Sequence, residues 1–217
     1  MQKSRKYLIF LPCFLSETKL TQKNIDAILL GELSNLDETE EYFMKKVEDY
    51  VRSIPDFPEP GIIFRDVTSI LQDADGLQLA IDEMQHFVEE VDCDVICGTE
   101  SRGFIFGMPI AYNLHKPFVP IRKKGKLPLE TIEESYDLEY GSATIEMHKD
   151  SIKPGQKVVI IDDLIATGGT VEACAKMIER LGGEVTRIVF LMELAGLKGR
   201  EKLAKYDVKS VIRYDGK

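Results

Sequence analysis

The sequence predicts an α/β fold, a mostly parallel twisted sheet with helices on both faces and a flexible lid. Three observations carry that expectation. Apolar runs at residues 95–98, 118–121, 158–161 and 187–192 are too short for helices and continuous rather than alternating, as strands buried on both faces are. Amphipathic helical stretches separate them, so strand, helix and strand alternate. From Met44 onward no Gly- or Ser-rich linker or composition break marks a second domain.

In chain order, Lys3, Arg5 and Lys6 precede a nine-residue run, Tyr7 to Leu15, that imitates a signal peptide. Pro12 and a poor cleavage site argue against that reading, and the segment that follows is polar and acidic, with Glu38, Glu40 and Glu41 clustered. Residues 1–43 are therefore expected to be an appendage, an upstream start being one origin, and 44–217 the functional domain. A helix is expected over 45–53, then an irregular segment forced by Pro55, Pro58, Pro60 and Gly61. A second helix is expected over 76–91, where Leu77, Ala80, Ile81, Met84, Phe87, Val88 and Val91 recur every three or four residues. Val171, Cys174, Ala175, Ile178 and Leu181 mark another, stopped by Gly182 and Gly183. Residues 127–147 are polar with no sustained helical period and read as a long loop, so a lid is expected at about 122–148.

Composition narrows the function. The chain has 217 residues with 28 Lys and Arg against 37 Asp and Glu, a net charge of −9. A broad basic face for duplex nucleic acid is excluded, and anionic partners must be met locally. No apolar run approaches the ~18 residues of a membrane span. Cys13, Cys93, Cys97 and Cys174 form no CxxC pair and read as free thiols, which fits a reducing cytoplasm. His86, His115 and His148 have no zinc-site spacing.

The segment Val158-Val-Ile-Ile-Asp-Asp-Leu-Ile-Ala-Thr-Gly-Gly-Thr170 is an apolar strand opening into two carboxylates and then a small-residue turn at a helix start. Helix N-termini offer free amides and partial positive charge, and Gly168 and Gly169 let backbone close around a phosphate. The turn lacks the Lys of a Walker loop and the spacing of a dinucleotide fingerprint; a plain Thr cap is the alternative. Gly98-Thr-Glu-Ser-Arg-Gly-Phe104 also joins a strand to a helix, so Arg102 and free amides there suit a second anion. Arg122-Lys-Lys-Gly-Lys126 places four cations in five residues at the start of the expected lid.

The acidic pair followed by Ala166-Thr-Gly-Gly-Thr170 resembles the phosphoribosyl-diphosphate signature of the type I phosphoribosyltransferases. The resemblance runs from about Met44 to Tyr214. Its details, Phe57-Pro-Glu-Pro-Gly-Ile-Ile-Phe-Arg-Asp66, Glu100-Ser-Arg-Gly103, Arg122-Lys-Lys-Gly-Lys-Leu-Pro128, Leu138-Glu-Tyr-Gly141 and Leu197-Lys-Gly-Arg-Glu-Lys202, favour the adenine-specific branch. It implies transfer of the phosphoribosyl group from 5-phosphoribosyl 1-diphosphate to adenine, giving AMP and pyrophosphate. By the same resemblance, Ala166, Thr167, Gly168, Gly169 and Thr170 hold the 5′-phosphate and Asp162 and Asp163 face the ribose. Glu100, Ser101, Arg102, Arg122, Lys123 and Lys126 meet pyrophosphate, with a cis peptide at Glu100-Ser101. Ile63, Arg65, Leu194 and Tyr140 flank adenine, Phe64 is packing, and Glu139 is the catalytic acid near purine N7. Magnesium is implied as cofactor, bound mainly through substrate oxygens with Asp162 the nearest protein group. A homodimer is implied too, Arg122 reaching a neighbour's site. Two alternatives stay open: a 6-oxopurine phosphoribosyltransferase, and a non-catalytic regulator that senses the sugar diphosphate.

Overall fold

Strand β7 shows why the sheet is covered on both faces: Val158 and Ile160 pack in one buried cluster while Val159 and Ile161 pack in the other. The computed structural model describes residues 45–137 and 141–216, which form one compact unit. A 3-10 turn at Val47–Tyr50 leads into β1 (Arg52–Pro55), which pairs antiparallel with β2 (Ile63–Asp66) in a small separate sheet. There follow α1 (Thr68–Leu71), α2 (Ala74–Glu89), β3 (Val95–Thr99), α3 (Arg102–Asn113), β4 (Phe118–Lys123), β5 (Thr131–Asp137) and β6 (Ser142–His148). The chain ends with β7 (Lys157–Ile165), α4 (Gly169–Arg180), β8 (Glu184–Leu194), a 3-10 turn at Ala195–Leu197, α5 (Gly199–Lys202) and β9 (Val208–Tyr214).

The main sheet has the order β5-β6-β4-β3-β7-β8-β9. Its five strands from β4 to β9 run parallel, as expected, and β5 and β6 join them antiparallel. Helix α4 contributes Val171, Cys174, Ala175 and Ile178 to one face; α2 and α3 contribute Met84, Val88, Phe106 and Ile110 to the other. Cys93, Cys97 and Cys174 are buried and free, as expected, and burial raises each thiol. Among the described residues no helix is long and apolar enough to cross a membrane.

Three expectations are corrected. The helix over 45–53 shrinks to one 3-10 turn, because Arg52–Pro55 pairs with β2 and the Arg52 amide donates to Ser69 Oγ at 2.9 Å. Helix α2 starts two residues before 76, because Asp73 Oδ1 accepts the amides of Asp75 and Gly76 at 3.0 Å each. The stretch 127–147 is mostly sheet rather than loop. Its strands look polar because β5 is an edge: only Ile145, Glu146 and Met147 of β6 are buried, and Arg180 of α4 donates to Glu134 at 2.6 Å and to the Glu133 carbonyl at 3.2 Å.

Candidate active site

Strands β3 and β7 lie side by side in parallel, Gly98 opposite Ile161, and each feeds a helix at its carboxyl end. The N-cap of α4 is Gly168, in a left-handed conformation at φ 78°, and among the described residues no side-chain cap hydrogen bond closes that helix end. No side chain caps α3 at Ser101 either. Helix α2 is the internal contrast, with its first amides taken by Asp73. The turn at residues 166–168 and the start of α4 at Gly169 and Thr170 therefore present amides that no side chain caps among the described residues, and the Thr-cap alternative does not hold. Two partial positive charges sit at neighbouring strand ends.

The two carboxylates lie within β7 rather than beyond it. Asp162 Oδ1 accepts the Asp163 amide at 2.9 Å, and the Thr99 hydroxyl nearby pulls its pKa down against burial. Asp163 is buried, with Arg102 Nε 2.8 Å from Oδ2. Among the described residues that oxygen has no partner of hydrogen-bond geometry, so the contact is an ion pair in which the Nε–H does not point at it. Burial raises the pKa of Asp162, reinforced by the neighbouring Asp163 charge; burial raises Asp163 too, opposed by Arg102. The pair consequently keeps a proton more readily than free carboxylates do. The close approach depends on Gly103, where a Cβ would lie 2.7 Å from the Ile161 carbonyl and 2.8 Å from Thr99 Oγ1.

Glu100 and Ser101 are joined by a cis peptide, as expected. The Glu100 carboxylate gathers the basic segment: it accepts Lys126 Nζ at 2.6 Å, the Lys123 amide at 3.0 Å and Arg122 Nε at 3.2 Å. Burial alone would raise its pKa, but these donors outweigh burial and hold it down to about 2. Arg122 is thus engaged inside its own chain. Glu146, also buried, accepts the amides of Lys126 and Leu127 at 2.8 Å each and fixes the turn that carries Lys126.

On the other side, the Arg65 guanidinium stacks 3.9 Å from the centre of the Tyr214 ring and donates to Ser53 Oγ. Leu194 is paired in register with Tyr214, the residue on which Arg65 stacks, while Ile63 is exposed at the start of β2. Phe64 packs edge-on against Phe57 at 5.3 Å, as expected of a packing residue. Glu139 and Tyr140 lie outside the described residues.

Sequence reasoning assigned no role to Thr99, Glu146, Gly199, Arg200, Lys202 or Tyr214. The one available signal was the segment Leu197-Lys-Gly-Arg-Glu-Lys202, noted without a function. It supplies Gly199, packed against the turn at 166–168, and Lys202, whose Nζ is 4.0 Å from where a Cβ on Gly169 would stand.

The chain matches the family described as phosphoribosyl transferase domain over residues 67–215. It is 74% identical to an adenine phosphoribosyltransferase of Lachnoclostridium phytofermentans, the alignment covering 80% of this chain and 100% of the relative. It is 75% identical to one of Butyrivibrio fibrisolvens, covering 80% and 96%. The crystal structure of adenine phosphoribosyltransferase from Thermoanaerobacter pseudethanolicus superposes with a TM-score of 0.74 at 49% identity, covering 77% of this chain and 98% of that one.

The Glu100 cluster makes a pH prediction. Its folded pKa, about 2, lies below the 4.5 of a free Glu, so its stabilising effect is present above pH 4.5 and fades as pH falls toward 2. Urea denaturation of the wild type and Glu100→Gln should show stabilities that converge by about 2 kcal/mol between pH 6 and pH 3. A constant difference over that range would show that the cluster does not hold Glu100 ionised.

Proposed function

The chain belongs to the phosphoribosyltransferase family, and from that premise we propose that residues 44–217 transfer the 5-phosphoribosyl group of 5-phosphoribosyl 1-diphosphate to adenine, giving AMP and pyrophosphate. The observation that carries this reading is the pair of uncapped helix N-termini at adjacent strand ends. A sugar with phosphate at one end and diphosphate at the other needs two such anion sockets.

In this reading the amides of 166–170 and the hydroxyls of Thr167 and Thr170 hold the 5′-phosphate. The ribose lies over Asp162, whose raised pKa suits a carboxyl that shares hydrogen bonds with sugar hydroxyls. The diphosphate faces Ser101, Arg102 and Lys123. Glu100 acts as a positioning residue that holds Arg122 and Lys126 at that end, since a bare carboxylate would repel the leaving group. Adenine lies between Ile63 and Arg65 on one side and Leu194 on the other, over Tyr214, with Tyr140 beside it.

Adenine N9 attacks C1 as the bond from C1 to the diphosphate oxygen breaks, and C1 gains oxocarbenium character. Asp162 and Asp163 beneath the ribose stabilise that positive charge, while Arg102, Lys123 and Lys126 stabilise the departing negative charge. Glu139 manages the purine proton near N7.

Magnesium belongs to this reading and would neutralise diphosphate charge when bound. Asp162 and Asp163, oxygen donors within β7, are the protein groups that would face it, with the substrate's oxygens supplying the rest. The reading also places the chain in the cytoplasm, supported by its buried free thiols, and as a homodimer, supported by exposed Ile105, Met108 and Tyr112 along one face of α3.

Assayed with adenine, hypoxanthine, guanine and xanthine in parallel, the protein should release pyrophosphate with adenine and yield AMP; preference for a 6-oxopurine would reject the adenine assignment. Thr170→Ala removes one hydrogen bond to a charged phosphate, about 1.5–3 kcal/mol, and should raise KM for the sugar diphosphate about ten- to a hundredfold. Unchanged kinetics would remove Thr170 from the socket.

A further inference from the structure

We infer that Arg200 is a positioning residue for the phosphate turn, fixing the wall against which residues 166–168 are moulded. The inference deepens the proposed transferase reading and rests on it for the identity of the ligand.

Apart from Thr167, the turn has almost no side chain of its own to keep its shape. Ala166 and Gly168 contribute little beyond backbone, and Gly168 is held at a positive φ. Its underside rests directly on the backbone of Gly199. A Cβ on Gly168 would stand 2.6 Å from the Gly199 carbonyl oxygen, and a Cβ on Gly199 would stand 2.4 Å from the Ala166 carbonyl oxygen and 2.7 Å from Ile165 Cγ1. Nothing separates the two backbones, so a displacement of Gly199 is transmitted to the amides that grip the phosphate.

Helix α5 cannot hold Gly199 in place alone. It has only four residues, and helices that short have no stability of their own. The ion pair of Lys198 and Glu201 is exposed on both sides at 3.7 Å and worth little. Leu203 is fully buried and anchors the exit of the helix. The entrance is tied by Arg200, which donates from Nε to Glu193 Oε2 at 2.7 Å, from Nη1 to the Val208 carbonyl at 2.8 Å and from Nη2 to Ser210 Oγ at 3.1 Å. One planar fork thus spans β8 and β9, a pattern an ammonium does not reproduce. Glu193 is buried and stands in register with Ile165, the last residue of β7 before the turn. The tether therefore runs from the strand beside the phosphate turn, through Arg200, to the glycine beneath it. The same short helix carries Lys202, so the tether also sets where that ammonium stands beside Gly169.

The test compares wild type, Arg200→Lys, the double variant Glu193→Gln with Arg200→Met, and Gly199→Ala. The measurements are AMP-forming kinetics, calorimetric titration with ribose 5-phosphate, and melting temperature. All three variants are expected to raise KM for the sugar diphosphate and Kd for ribose 5-phosphate at least fivefold, while KM for adenine stays within twofold. Arg200→Lys, which keeps the charge and loses the fork, should fail to rescue. The double variant leaves no buried charge unpaired, and Gly199→Ala disturbs the same contact without touching the ion pair. A lower melting temperature with unchanged ribose 5-phosphate affinity, or unchanged affinity in Gly199→Ala, would overturn the inference and leave Arg200 a stability staple. A wild type that binds ribose 5-phosphate yet makes no AMP would reject the transferase reading, and the positioning role would still be judged by the ribose 5-phosphate titrations.

Discussion

Parallel pairing of β3 with β7 is the constraint on which the rest of the site depends. Parallel neighbours end on the same edge, so the helices that follow them, α3 and α4, begin next to each other. Both begin without a side-chain cap, whereas α2 has its amides closed by Asp73. An unclosed helix end costs free energy unless water or a ligand completes it, and two adjacent ones suit an anion at each end of a single molecule. The small-residue turn, the glycine contacts and the basic segment are arranged around that pair.

The electrostatics are local, and two carboxylates at neighbouring strand ends are shifted in opposite directions. In a chain with nine more acids than bases, Glu100 is held ionised by donors from β4 and the turn after it. Asp162, at the neighbouring strand end, is pushed the other way by burial and by Asp163. One carboxylate spends its charge gathering the cations of the basic segment; the other keeps its proton more readily. The division follows from environment, since both are ordinary acids in the sequence.

Much of the fold was legible because buried parallel strands are continuous apolar runs, and β3, β4, β7 and β8 were found where 95–98, 118–121, 158–161 and 187–192 had marked them. The junction at 166–170 was legible too: an apolar strand followed by small residues marked a turn into a helix, and β7 leads through Gly168 into α4 there. Strands β5 and β6 were not, because an edge hairpin that buries little besides Ile145 and Met147 leaves almost no apolar signal. The β1 strand was hidden by a helix-like period across Val47 and Tyr50. Pairings through space were beyond reach as well. Lys126 meets Glu100 across 26 positions, Arg65 finds Tyr214 from the far end of the chain, and Gly199 lies under Gly168 with no sequence mark except its being glycine.

The claim that matters most is that the turn before α4 is an anion socket for a sugar phosphate. A crystal structure of the protein with 5-phosphoribosyl 1-diphosphate and magnesium tests it directly. On this account the 5′-phosphate lies within hydrogen-bond distance of the amides of Thr167, Gly168, Gly169 and Thr170, and the diphosphate lies toward Ser101 and Arg102. A sugar phosphate bound elsewhere, with those amides left to solvent, would contradict it.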